Sequence, residues 1–377
     1  MKIPFKDVYV LNFLKMFKNK ITRQFTQIEV DTLTNNCYPL SPQMNSGDIF
    51  QWRMREDFSP YQIRCHLQEM GYTIKQPIWT FLLRMGQSVT ELPDGTKVSI
   101  AGEYEDYYDP DFKIYNDVMI QKMNGEIQLW HYPIEQFPPT DFHTAYYDQV
   151  THSIFLIGNL GYPENRKEDS TQVLRLNLNT LEIEKLECFG NIPSWLHHHE
   201  MKVINQHELE FSNGHVIKNK KYLRNLYTWR LNIRTLEWSL PKQTIFDHWT
   251  LKSEQYYGFP FFECHQLLWD EENTTAEEFE QSKQKIINHL GYLPNYKAYR
   301  WLYIPLDDAI ITQDEHEYSK YISNLYGYTL WYFENDDLMQ AVFPDHIPDD
   351  FQKFLLNDLV YRLKQITGHD VIVEKVV

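Results

Sequence analysis

Three short runs bring together residue types that could do chemistry. His197-His198-His199-Glu200 offers imidazoles and a carboxylate, the ligands that zinc and other late transition metals favour. Successive side chains of a strand point to opposite faces, so only His197 and His199 are expected to share a side, and no further ligand stands at a helpful spacing. Asp109-Pro110-Asp111 is a DxD, a pairing able to hold a divalent ion on a nucleotide sugar, but a nucleotide fold would surround it with βαβ units, and none is legible there. Cys264-His265 sets a thiol beside an imidazole, and chain neighbours rarely face each other as nucleophile and base. GxxxxGK[ST], GxSxG and HExxH are all absent. The expectation is no catalytic residue, no metal site and no cofactor.

The run with most to say is Gly102 to Phe112, GEYEDYYDPDF. It sets Glu103, Glu105, Asp106, Asp109 and Asp111 among Tyr104, Tyr107, Tyr108 and Phe112. Tyrosine brings large contact area, and carboxylates select basic partners. The bland alternative is a solvated acidic loop whose tyrosines cover a sheet edge. The candidate partner-binding residues are Glu103, Tyr104, Glu105, Asp106, Tyr107, Tyr108, Asp109 and Asp111.

Composition narrows the partner. The 377 residues carry a formal charge of −16, which disfavours duplex nucleic acid and suits a basic protein. With 42% hydrophobic and 15% aromatic residues, the chain can bury a sizeable core. Cys37, Cys65, Cys188 and Cys264 stand far apart in no metal spacing and read as reduced, buried thiols. With no signal-peptide pattern and no long apolar run, the expectation is a cytoplasmic protein without a membrane role.

The elements that must position these residues repeat. Gln87, His143 and His199 are 56 residues apart, as are Gly102, Gly158 and Gly214. Each unit runs from a polar residue through a first strand to a short apolar strand ending at glycine (KVSIAG, SIFLIG, LEFSNG), then a loop, then a hairpin. The hairpin turns fall at Asn124-Gly125, Asn179-Thr180 and Arg234-Thr235, the first a strong turn signal. The loop that is acidic in the first unit carries Lys218, Lys220, Lys221 and Arg224 in the third and is mixed in the second, Asn159 to Ser170.

Residues 84–240 resemble Kelch repeats, the four-stranded antiparallel blades of a β-propeller, on three features. These are the glycine position, the late aromatics Trp130 and Trp238, and the repeat openings RMGQS and FHTA. Ala101-Gly102, Ile157-Gly158 and Asn213-Gly214 stand where such repeats usually carry two glycines. The resemblance implies blades whose loops share one face, with inner strands crowding the axis. Three blades are fewer than a closed propeller needs, so either the flanks supply more or the units form an open, curved stack.

The fold class is β-rich α+β: a mostly helical segment at 1–76, the Kelch-like region at 77–245 and an α+β domain at 246–377. In the first segment Val8, Leu11, Leu14 and Phe17 recur at helical spacing. A second helix starts from Ser59 and Pro60 and ends at Gly71, and DIFQWRMR (Asp48 to Arg55) between them reads as a strand. In the last, Thr275 and Glu278 cap a helix ending near Gly291, and another runs from Pro348 to Thr367-Gly368. YRWLYIPL, YTLWYF and VIVEKVV read as strands. The whole also resembles, in style, bacterial immunity proteins that bind and neutralise a toxin. The expected function is a non-enzymatic protein-binding module; the alternatives are an enzyme working on the loop face and a scaffold protein.

Overall fold

The computed structural model describes residues 24–34, 42–44, 48–55, 58–74, 77–81, 84–106, 109–254, 258–304, 310–314, 317–335 and 338–376. The chain is β-rich α+β, with antiparallel sheets and, among the described residues, seven α-helices. It divides into two compact units, Met1–Pro241 and Lys242–Val377.

In the first unit the sequence repeat becomes a structural one. Strands Ser88–Glu91, Lys97–Ile100, Asp117–Gln121 and Ile127–His131 form an antiparallel meander. The same meander recurs in Thr144–Asp148, Ser153–Ile157, Val173–Asn177 and Ile183–Lys185, and again in Glu200–Asn205, Glu208–Ser212, Trp229–Asn232 and Glu237–Ser239. Ser88, Thr144 and Glu200 open the first strands, and Asp117, Val173 and Trp229 the third strands, all 56 apart. Gln43–Met44 adds to the edge of the first sheet, and Phe189–Gly190 joins the third in parallel.

The sheets stack because alternate residues of the middle one feed two cores. Ile154, Leu156, Leu174 and Leu176 pack with Val98, Ile100, Val118 and Ile120 of the first sheet. Phe155, Ile157 and Val173 pack with Leu209, Phe211, Leu231 and Trp238 of the third. Burial of both faces is why the strand Ser153–Ile157 is apolar without a break from Ile154 to Ile157. The third sheet keeps the ordinary alternation: Leu209 and Phe211 are buried, while Glu210 lies across from Arg230 at 2.9 Å. Helices Gln27–Thr34, Asp48–Arg55 and Pro60–Glu69 share a further core with Leu129 of the first sheet and with Tyr115, which precedes its third strand. Among the described residues the three sheets do not close into a ring.

Polar contacts between sheets explain the histidine markers. His143 Nε2 lies 2.8 Å from Ser88 Oγ, and His199 Nε2 lies 2.9 Å from Thr144 Oγ1. Each histidine thus ties its own sheet to the start of the preceding one. The glycines are fixed by conformation and crowding. Gly102, Gly158 and Gly214 have φ of 91°, 82° and 72°, a region that side chains avoid. A Cβ on Gly158 would sit 2.6 Å from Leu196 O.

Two strand expectations are corrected. DIFQWRMR is the helix Asp48–Arg55: its buried residues Ile49, Phe50 and Arg53 follow helical spacing, and Arg53 donates to Trp79 O and Thr80 Oγ1 inside the core. In YRWLYIPL, Asn295 caps the short helix Tyr296–Tyr299, and the chain then turns through Trp301–Tyr303; residues 305 and 306 lie outside the described ones. The Val8–Phe17 pattern and Cys37 also lie outside them. Ser59 forms a capping box with Gln62, and Gly71 takes a positive φ of 94°.

In the second unit a six-stranded antiparallel sheet runs in the order Ile310–Asp314, Glu317–Leu325, Tyr328–Phe333, Met339–Pro344, Phe246–Ser253, Val371–Lys375. It shares one core with helices Phe261–Asn273, Ala276–Leu290, Tyr296–Tyr299 and Asp349–Thr367. The Thr275–Glu278 capping box and the left-handed Gly291 and Gly368 bound two of these helices where the sequence places them.

Candidate functional site

The segments that follow the three glycines meet on one side of the stack. In the first repeat, Glu103–Asp106 pairs with Asp109–Ile114 as a hairpin. In the third, His215–Lys218 pairs with Lys221–Arg224. The second contributes a loop with one 3₁₀ turn, Pro163–Asn165. Tyr162 of that loop accepts the Ile114 N–H at 3.0 Å and meets Phe112 edge-on. Glu168 accepts from the N–H groups of Asn219 (2.6 Å) and Lys220 (2.8 Å). Those two residues have φ of 52° and 59°, the twisted two-residue turn that joins hairpin strands. The second loop therefore pins the turn of the third. Arg166 reaches across to the Tyr222 hydroxyl while its guanidinium also donates to Leu160 O and Gly161 O.

The acidic residues of the first hairpin divide by position. Glu103 is 8% exposed, Tyr104 is half-buried against the helical core, and Glu105 is exposed. Asp106, Asp109 and Asp111 lie on the paired strands, with Asp106 opposite Asp109, while Tyr107 and Tyr108 lie outside the described residues. Glu103 points at a second buried acid, Asp141 of the next repeat, which is fully buried. One Asp141 oxygen accepts the Gly161 N–H at 2.7 Å; the other has no hydrogen-bond partner. Burial, a hydrogen bond to Asp141, the Asp141 charge and the Glu105 charge push Glu103 up to about 8. Burial also raises Asp141, against the pull of Gly161 and Arg166. One proton held on Glu103 at neutral pH supplies the donor that the Asp141 oxygen lacks.

Beside this pair lies an imidazole cluster that strand alternation does not anticipate. His198 has φ 53°, so the backbone is not extended there. His197 and His198 approach with their Nδ1 atoms 2.7 Å apart, and His199 turns away into its contact with Thr144. His197 pairs through its backbone with His215, and their rings stack at 5.5 Å. His198 stacks on Phe142 at 3.6 Å. Desolvation, then neighbouring positive groups, lowers His197 to about 2 and His198 and His215 to about 4. All three are neutral imidazoles at physiological pH. His215 was not singled out from the sequence; its signal is its place directly after Gly214, on the segment that faces the run 197–199.

The second unit has a polar cluster of its own. Glu334 accepts from the Tyr299 and Tyr303 hydroxyls, and His265 Nε2 lies 2.7 Å from Tyr299 Oη and 3.1 Å from Tyr321 Oη. Burial and the Glu334 charge raise the Tyr299 and Tyr303 phenols well above their usual range. Cys264 is buried and its thiol is pushed up by desolvation, so it faces the core while His265 faces the tyrosines. Cys65 and Cys188 are half-buried thiols without a disulfide partner.

No family model matches the chain, and no curated protein matches it. No helix among the described residues is long and apolar enough to cross a membrane.

Proposed function

We propose that the chain is a non-enzymatic, cytoplasmic protein-binding module, an immunity protein that neutralises a toxin through the loop face of Kelch-like blades. The observation that carries this reading is the convergence of three post-glycine segments of different charge on one side of three repeated sheets. Loops held on a rigid scaffold are the usual place for recognition. The contact starts from the exposed Glu105 and in this reading takes in the hairpin as far as Asp111, with the buried Glu103 and half-buried Tyr104 as its anchor in the scaffold. The basic hairpin Lys218–Arg224 borders the acidic one through the second loop and gives the face a charge pattern that discriminates partners as well as attracting them. The repeat of strands at 56 residues and the meander order within each sheet support the blade assignment.

The test is a protection assay in cells that express the product of the gene beside this one. Reversing Glu105, Asp106 and Asp109 to lysine should slow association and weaken protection while the protein stays folded. Full protection by that variant with Tyr107 and Tyr108 also changed to alanine would move the contact off this face and defeat the proposal.

A further inference from the structure

We propose that His197, His198 and His215 form a binding site for a divalent late transition metal, zinc being the chemistry that fits best. One ligand atom from each ring lies within 4.8 Å of the others. Imidazole is the ligand such metals prefer among uncharged side chains, and three histidines leave a fourth position for water or a partner's group. Nitrogens around one tetrahedral zinc stand roughly 3.3 Å apart, given Zn–N distances of about 2.0–2.1 Å. The Nδ1 atoms of His197 and His198 at 2.7 Å therefore need only a small ring movement to admit an ion. Their hydrogen bond uses one proton, which passes to the other nitrogen of the same neutral ring when a metal takes its place.

A second observation points the same way. His197 is 2% exposed, and its Nε2 has no hydrogen-bond partner. That nitrogen is therefore open either to the ion itself or, where the ion takes Nδ1, to the proton displaced from the His197–His198 hydrogen bond. His198 is the exposed member of the set and gives the ion a path from solvent. The segment 197–198 and the hairpin that begins at His215 meet at one backbone bridge and through ring contacts, so a shared ion would fasten the third loop more firmly to the base of its sheet. Arg224 and Arg166 lie close enough to act on these rings. Their charge opposes a cation, so the affinity should be moderate and should rise when an anionic ligand fills the open position.

The experiment uses the full chain, stripped with a chelator and desalted, then titrated with zinc chloride, cobalt chloride and magnesium chloride. One equivalent of zinc should bind and raise the melting temperature, cobalt should develop the visible absorption of a tetrahedral nitrogen site, and magnesium should do neither. His198→Asn tests the site with little risk to folding, because asparagine tolerates the positive φ that His198 adopts. It should weaken zinc binding by roughly tenfold or more, the effect that even losing an outer-shell partner produces, with an unchanged melting temperature in chelator. His215→Asn should do the same. Absence of zinc binding by the wild type, or equal binding by both variants, would overturn the site and leave the loop-face reading intact.

Discussion

Asp117 and Glu103 belong to the same repeat, 14 residues apart in the chain, and both carboxyl groups are buried. Asp117 is fully partnered. Arg84 grips it with both terminal nitrogens, and Trp79 Nε1 donates at 2.8 Å. The Arg84 guanidinium is itself held by Ala101 O and Thr80 O and lies 3.5 Å from the Tyr115 ring centre. Burial alone would raise Asp117, but the Arg84 charge and these hydrogen bonds outweigh it and hold the group below its ordinary 3.8. Glu103 has the opposite neighbour, another acid, and is pushed up to about 8. The lesson is that burial does not fix the charge of a carboxyl group; the partner does. One end of this repeat is built to hold a charge and the other to hold a proton.

The two ends should therefore fail in different conditions. Asp117 has a depressed pKa, so its contribution is present above about 3.8 and is lost as pH falls below that value. Glu103 has a raised pKa, so its contribution is present below 4.5 and is lost progressively as pH climbs to about 8. The largest effect is expected from breaking the ion pair. Arg84→Met leaves Asp117 charged in the core and should cost roughly 3–5 kcal/mol at pH 7. Denaturant unfolding at pH 7 and pH 4 measures it, and the deficit should narrow in acid, where Asp117 takes up a proton. A deficit below about 1 kcal/mol at pH 7 would mean that the pair is solvated and that the contrast with Glu103 is not one of partners.

A smaller and opposite effect is expected at Glu103. Glu103→Gln keeps a hydrogen-bond donor facing Asp141 and removes the group that must give up a proton. The variant should match the wild type near pH 5 and exceed it by about 1–3 kcal/mol at pH 9. Melting temperature between pH 5 and pH 9 reads this directly: the wild-type curve falls and then levels off, and the Glu103→Gln curve is flatter. A wild-type curve without that fall would show that the acids do not share a proton.

The sequence made the scaffold of this contrast legible and hid its chemistry. Period 2 within strands and period 56 between them follow from a backbone geometry that every repeat must satisfy, so Gly102, Gly158 and Gly214 marked the strand ends. His143 and His199 mark the junctions because the same contact between sheets, a histidine on a hydroxyl at the start of the preceding one, recurs at the repeat period. The meeting of Glu103 with Asp141 depends on how two sheets stack, and nothing near either residue encodes it. The acidic run around Glu103 instead read as uniformly exposed. His215 joins His197 and His198 because a positive φ at His198 breaks the alternation on which the strand reading rests. The alternation of Phe50, Trp52 and Met54 suggests a strand over residues 48–55, but the packing of Arg53 against Trp79 and Thr80, farther along the chain, chooses the helix.

The smallest effect separates the causes that act on Glu103. Burial ranks first, then the hydrogen bond and charge of Asp141, and the charge of Glu105 last. Glu105 is exposed, so solvent screens its influence, and Glu105→Gln should change stability by less than about 0.5 kcal/mol at pH 7. It should still move the alkaline end of the Glu103 transition slightly downward, and added salt should erase that movement. Asp141→Asn should move it further, and salt should leave that larger movement in place, because the contact is buried. The comparison needs only melting curves for three proteins at low and high ionic strength across pH 6–9. If Glu105→Gln moved the transition as far as Asp141→Asn, the proton on Glu103 would belong to the acidic surface of the hairpin, and the buried pair would lose its role.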